Sequence, residues 1–186
     1  DGNYKQTTEW LLKNGYDFDL ISEALLPDLC SKGTNPLQVG KMAYEVVVVS
    51  DSMTLRPHTL KVLEDFKNAG GKLIFMGRTP EFENAKRKDL SYLLTGAKVI
   101  KRSEDEMLNA IGSKYAVDIR LVSGEKSQNL MVTTRVDGDD KWLFFARMNK
   151  PCKDDINKED LIFTVNGGYE VTLYDTLSGE IKPISF

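Results

Sequence analysis

Histidine occurs once and cysteine twice in the 186 residues, and these scarcities remove much side-chain chemistry at the outset. Cys30 and Cys152 lie far apart in the sequence, which matches neither a disulfide framework nor the paired spacing of a zinc site. The plain reading is two unpaired structural thiols. Apolar runs are short: one such as Val46 to Val49 falls far below what a bilayer demands. The amino terminus also lacks the charged-then-apolar pattern of a signal peptide. A dominant charge of one sign is missing as well. Lys and Arg total 25 against 28 Asp and Glu, a net charge of −3 with no long basic run, which argues against nucleic acid or an anionic membrane as the main partner. Position 1 is Asp rather than Met, so a processed or excised chain is expected.

What is present changes character near residue 115. Before it, helical periodicity alternates with short apolar runs; after it come alternating segments separated by hairpin signals, with no convincing helix. Tyr4 to Asn14 reads as a helix stopped by Gly15, Asp17 to Ile21 as a short strand and Glu23 to Leu29 as a brief helix. Glu45 to Ser50 is a β-branched run suited to a strand covered on both faces. Pro57 fits a first helical turn, and Leu60, Leu63, Phe66 and Ala69 fall on one helical face until Gly70-Gly71. Lys72 to Met76 and Ala97 to Lys101 read as further strands, with a helix from Thr79-Pro80 to Leu94 between them. Ser103 and Glu106 form a capping-box pattern for a helix ending near Gly112. The alternation predicts a flavodoxin-like α/β unit over residues 1–114, a parallel sheet with helices on both faces.

Residues 115–186 predict a small antiparallel β-sandwich. Ser127 to Val136 and Lys141 to Met148 flank the turn Asp137-Gly138-Asp139-Asp140. Leu161 to Val165 and Tyr169 to Tyr174 are joined by Asn166-Gly167-Gly168, and Ser178-Gly179 turns the chain into Ile181 to Phe186.

In open α/β sheets ligands gather beyond the carboxyl ends of the strands. Ser50-Asp51-Ser52 and Gly77-Arg78-Thr79 are two such ends, with His58 on the helix between them. A pocket of Asp51, His58, Arg78 and Thr79 would suit a small anion or sugar. Helix capping and a structural Asp–Arg pair explain the same residue types on their own, and that plainer reading is preferred. The residues speak more firmly against a cysteine or serine triad. The turn after Phe75-Met76 carries Gly77, Arg78 and Thr79 in place of a nucleophile, Cys30 is not on a strand-to-helix elbow, and there is no second imidazole. Gly70-Gly71 follows a helix and is no phosphate loop, the Asp-Gly-Asp-Asp turn lacks the spaced ligands of a calcium loop, and no cofactor or metal motif is present. No carboxylate spacing identifies a glycosidase pair, which needs roughly 5 to 10 Å between carboxyls. Trp142, Phe144, Phe145 and Tyr169 could be core or a sugar-stacking platform, with Trp142 and Tyr169 the candidates for stacking.

The stretches "NGYDFDLISEALL" and "LQVGKMAYEVVVVSDSMTLRPHTLKVLEDFKNAGGKLIFMGRTPE" resemble the middle domain of large bacterial α-L-rhamnosidase-like and β-galactosidase-like glycoside hydrolases. That domain is the β-galactosidase trimerisation-like one, related to class I glutamine amidotransferases without their catalytic cysteine. "DDKWLFFARMNK" and "VTLYDTLSGEIKPI" are similar to the β-sandwich segment that follows it. The resemblance implies a non-catalytic accessory region whose partner is a catalytic barrel upstream in the same polypeptide, with self-association a further expectation. It implies no cofactor and no catalytic residue within these positions, and a periplasmic or extracellular site if the parent protein is secreted. The alternative is a stand-alone small-molecule or carbohydrate-binding module. A filled, salt-bridged strand end would count against the pocket, and buried Trp142 and Tyr169 against sugar stacking.

Overall fold

A computed structural model describes residues 2–112, 117–127, 129–147 and 160–184. The sequence junction near residue 115, the second cysteine and most of the polar loop from 149 to 160 lie outside them. Helix α1 (Gly2–Lys13) opens the chain, and the one-turn helix α2 (Leu26–Leu29) leads to a small hairpin, β1 (Leu37–Val39) and β2 (Met42–Tyr44). Then come β3 (Val46–Ser50), β4 (Thr54–Leu55), α3 (Pro57–Asn68), β5 (Lys72–Met76), β6 (Phe82–Glu83) and β7 (Lys86–Arg87). They are followed by α4 (Ser91–Leu94), β8 (Lys98–Ile100) and α5 (Glu104–Ile111). The remaining elements are strands: β9 (Asp118–Leu121), β10 (Leu130–Asp137), β11 (Asp140–Arg147), β12 (Leu161–Thr164), β13 (Val171–Tyr174) and β14 (Ile181–Ile184).

The centre is a parallel three-stranded sheet in the order β3-β5-β8. Successive side chains of a strand face opposite ways, and here each face has its own core. Val47, Val49, Leu73 and Phe75 join Leu60, Leu63 and Phe66 of α3 and Leu93 of α4 on one side. Val46, Val48, Ile74, Met76 and Ile100 meet Leu11 of α1 and Met107, Ala110 and Ile111 of α5 on the other. Phe66, Ile74, Phe75, Met76, Leu93 and Met107 are wholly buried, and each contributes about 1.5–3 kcal/mol by leaving water.

Local chemistry explains the flanking helices. Pro57 pre-sets the first turn of α3, whose buried face includes Val62 while Ala69, expected on it, is exposed as the C-cap. Ser103 Oγ accepts from the Glu106 N–H at 3.5 Å, and three acids fill the first turn of α5, where the helix dipole favours negative charge. Glu106 does not complete the reciprocal box, since its carboxylate accepts from the Lys101 N–H at 2.9 Å.

Three expectations are corrected. Residues 17–21 form no strand; Phe18 packs against the second core and Asp19 is held by the Tyr44 hydroxyl. The helix expected from Thr79 to Leu94 is replaced by β6, β7 and the short α4. Positive φ at Asn84 and Ala85 turns the chain between β6 and β7, and β6 pairs in parallel with β4. Tertiary pairing overrides helical propensity there. Asn166-Gly167-Gly168 does not close a hairpin, because β12 pairs with β9 and β13 with β14.

The antiparallel part comprises the pairs β10–β11, β9–β12 and β13–β14. Gly138, with φ +60°, supplies the first central position of the two-residue turn between β10 and β11. Val117, Ile119 and Val132 pack with Leu143, Phe145 and Leu161 in a third small core. The two parts touch where Gly15, at φ +70°, passes the Val117 backbone so closely that a Cβ would lie 2.2 Å from its oxygen.

Gly33 is a sharper test of packing, because its backbone lies flat on α3. A Cβ there would sit 2.0 Å from Val62 O and 2.4 Å from Phe66 N, so Gly33→Ala is expected to cost at least about 1–3 kcal/mol through overpacking. Gly168→Ala, with open space around it and no positive φ, should change stability little. Urea unfolding of both variants checks the pair.

Candidate functional site

The carboxyl ends of β3, β5 and β8 converge as the α/β pattern demands, and an ion pair of Asp51 and Arg102 joins them. Asp51 follows β3 with φ +49°, a conformation that Asp tolerates better than most residues. Its backbone N–H continues the ladder to Met76 O at 2.9 Å. Gly77 follows β5 at φ +77°, and a Cβ on it would strike Asp51 Oδ1 at 2.2 Å. The missing side chain lets Asp51 Oδ1 accept the Arg78 N–H at 3.1 Å. Arg102, just beyond β8, places Nη1 2.8 Å from Asp51 Oδ2 and 3.0 Å from Ser50 Oγ.

The rest of that guanidinium belongs to α1. Nη2 donates to Asn3 O and, at 3.2 Å, to Gln6 Oε1, while the group stacks 5.2 Å from the Trp10 ring centroid. Asn3 Nδ2 also reaches Asp51 Oδ2 at 3.3 Å. Both Asp51 oxygens therefore accept from protein donors, and helix α1 is clasped across the strand ends.

The other candidates disperse. His58 Nε2 lies 2.8 Å from Cys30 O, and because a carbonyl can only accept, that nitrogen carries the proton. Cys30 is a buried free thiol whose pKa is raised by burial, an inert setting. The Arg78 side chain is exposed and points Nη1 at Met53 Sδ, 3.4 Å away. Thr79 lines an open groove of about 560 Å³ with Glu81, Arg87 and Lys88. The cations there are taken: Arg87 pairs with Glu81 at 2.8 Å and Lys88 with Glu83 at 2.5 Å. Among the described residues no group of three or more His, Cys, Asp or Glu could hold a metal ion, and no helix is long and apolar enough to cross a membrane.

Trp142 and Tyr169 are 49% and 39% exposed. The ring that Trp142 meets is Tyr174, with centroids 5.4 Å apart and planes tilted by 47°. Tyr169 instead covers Gly167, where a Cβ would meet its ring at 2.6 Å. Sequence reasoning missed Arg102 and Tyr174. The rule of looking beyond strand ends reaches Arg102, which directly follows the predicted strand Ala97 to Lys101, but residue type alone does not reveal that it would displace Arg78.

No family model matches the chain. Over 126 residues it is 29% identical to a protein of Formosa agariphila named "Putative beta-glucuronidase", a match covering 68% of this chain and 10% of that protein. Its fold is similar to the crystal structure of apo exo-carrageenase GH42 from Bacteroides ovatus, with a TM-score of 0.64 at 12% identity. That likeness covers 98% of this chain and 25% of the other. The chain thus spans about a tenth and a quarter of the two similar proteins, both of which bear glycosidase names.

Two predictions arise from these contacts. Arg102 and Asp51 keep only 18% and 19% of their side-chain surface, so Arg102→Met, which strands the carboxylate, is expected to cost about 3 kcal/mol. Asp51→Asn keeps an acceptor for the Arg78 N–H and should cost less, and the double variant should lose less than the sum. Urea unfolding of the four proteins measures the coupling, and additive losses would show that there is none. Tyr44 gives the second. Its hydroxyl donates to Asp19 Oδ2 at 2.5 Å, and burial first, then Asp19 and Asp17, push its pKa from 10.0 up to about 12. The folded state holds that proton more tightly, so the added stability is present below the ordinary phenol value and lost as pH climbs through about 12. Tyrosine-labelled NMR titration should find the Tyr44 midpoint lowered in Asp19→Asn.

Proposed function

We propose that this chain is a non-catalytic accessory region of a bacterial glycoside hydrolase whose catalytic barrel lies upstream in the same polypeptide. The observation that carries the reading is the closure of the strand ends. Where an amidotransferase-like fold would keep a nucleophile there stands Gly77-Arg78-Thr79, and both oxygens of Asp51 are engaged by Arg102, Asn3 and the Arg78 N–H. The similarity to stretches of two proteins with glycosidase names supports the enzyme class. In this reading residues 1–114 are a flavodoxin-like, β-galactosidase trimerisation-like domain and residues 115–186 a small β-sandwich. The two brace the barrel or a subunit interface.

A second reading has one observation in its favour. Trp142 and Tyr174 present half-exposed, touching rings, and such rings can stack on a sugar face. Their 47° tilt makes them a cleft edge rather than a flat platform, so the accessory reading is preferred.

A hydrolysis screen against aryl glycosides, run on these 186 residues and on any longer polypeptide that contains them, tests the proposal. Turnover is expected only from the longer protein. Turnover by the 186 residues alone, abolished by changing one carboxylate, would overturn it.

A further inference from the structure

A second concave feature lies where residues 16–19 face strand β10, away from the clasp at the strand ends. It is a groove of about 370 Å³, at the small end of the roughly 300–1,000 Å³ common for ligand pockets. Phe18 contributes aromatic surface beside the buried Tyr16; Asp17 and Asp19 contribute carboxylates, and Thr133 and Arg135 a hydroxyl and a guanidinium. The two polar segments, residues 16–19 and 133–135, come from distant parts of the chain, so the groove is a product of the tertiary fold and not of one loop.

Its charges choose the ligand. Arg135 Nη1 stands 4.0 Å from Asp17 Oδ2, too far for a hydrogen bond but close enough to balance its charge. Asp19 Oδ2 is occupied by the Tyr44 hydroxyl at 2.5 Å, which fixes the carboxylate's orientation. Two carboxylates against one guanidinium repel an anion. The nearby guanidinium and the lack of a third acidic or imidazole ligand disfavour a metal cation. A neutral ligand rich in hydroxyls answers both: its O–H groups donate to carboxylate oxygens in charge-assisted bonds, its oxygens accept from Arg135, and its C–H face lies on aromatic carbon. Burial also raises the Asp17 pKa, with Arg135 opposing, as befits a carboxylate set partly into a groove.

We propose that this groove, formed by Tyr16, Asp17, Phe18, Asp19, Thr133 and Arg135, is a binding subsite for a neutral sugar. The choice of sugars among neutral polyols rests on the glycosidase reading above; the groove's preference for a neutral hydroxylated ligand does not. In a glycoside hydrolase such a subsite would hold part of a glycan against this region of the polypeptide.

The test is an amide-resolved NMR titration of the isotope-labelled 186-residue chain with methyl β-galactoside and methyl β-glucoside, and with methyl β-glucuronide as a charged counterpart. Saturable shifts confined to residues 16–19 and 133–135 are expected with the neutral glycosides. Binding should be about tenfold weaker for the glucuronide, and about tenfold weaker for neutral glycosides in Asp17→Asn, the effect of losing one charge-assisted hydrogen bond. Thr133→Val, on the opposite wall, should also weaken binding, and the same spectra report whether each variant is folded. The proposal is overturned by absence of shifts in the groove, by glucuronide binding as well as the neutral sugars, or by affinity unchanged in Asp17→Asn. Shifts centred on Trp142 and Tyr174 would overturn it in favour of the ring pair. None of these outcomes alters where hydrolysis resides, so the groove can fail while the accessory role stands.

Discussion

The contact on which most of the α/β part depends is the ion pair between Arg102 and Asp51. Each parallel strand ends with polar groups that need partners, and the Arg102 guanidinium, carried just beyond β8, serves the end of β3 and helix α1. It bonds Ser50 at the end of β3 and Asp51 just after it, reaches Asn3 and Gln6 on α1, and lies over Trp10. The arrangement requires Gly77, since any side chain there would collide with Asp51. A region that many α/β proteins leave open for ligands is here occupied by the protein's own groups.

Much of the layered core was legible because its signals are local. The Val46 to Val49 run, the spacing of Leu60, Leu63 and Phe66, and the Ser103 cap each report an element within a few residues. The parallel sheet and its flanking helices follow from them. Elements defined by distant partners were not legible. The two-residue strands β6 and β7 exist because β4 is available to pair, and the short β9 is recognised only through its ladder with β12. A four-residue segment with alternating charge, Asp118 to Leu121, carries too little apolar pattern to announce itself.

The site divides the same way. Asp51 and the backbone of Arg78 were findable from their position after strands, and they do meet. His58 was singled out for its rarity, yet its proton is committed to Cys30 O. Rarity of a residue type is a statement about composition, whereas a role depends on what the fold sets beside it. The groove of Asp17, Asp19 and Arg135 joins positions more than a hundred residues apart, and no spacing rule connects them.

The four consecutive valines of β3 carry a further consequence. A strand's register is normally set by a difference between its two faces, but alternate valines here enter two cores of similar apolar character. Sliding this strand by one residue would replace valine with valine at most positions, so the run itself holds almost no alignment information. That information lies at its end, where Ser50 and Asp51 meet Arg102 and the left-handed turn at Asp51 halts the ladder. The clasp is thus the index mark of an otherwise uniform strand, fixing which valine faces which core.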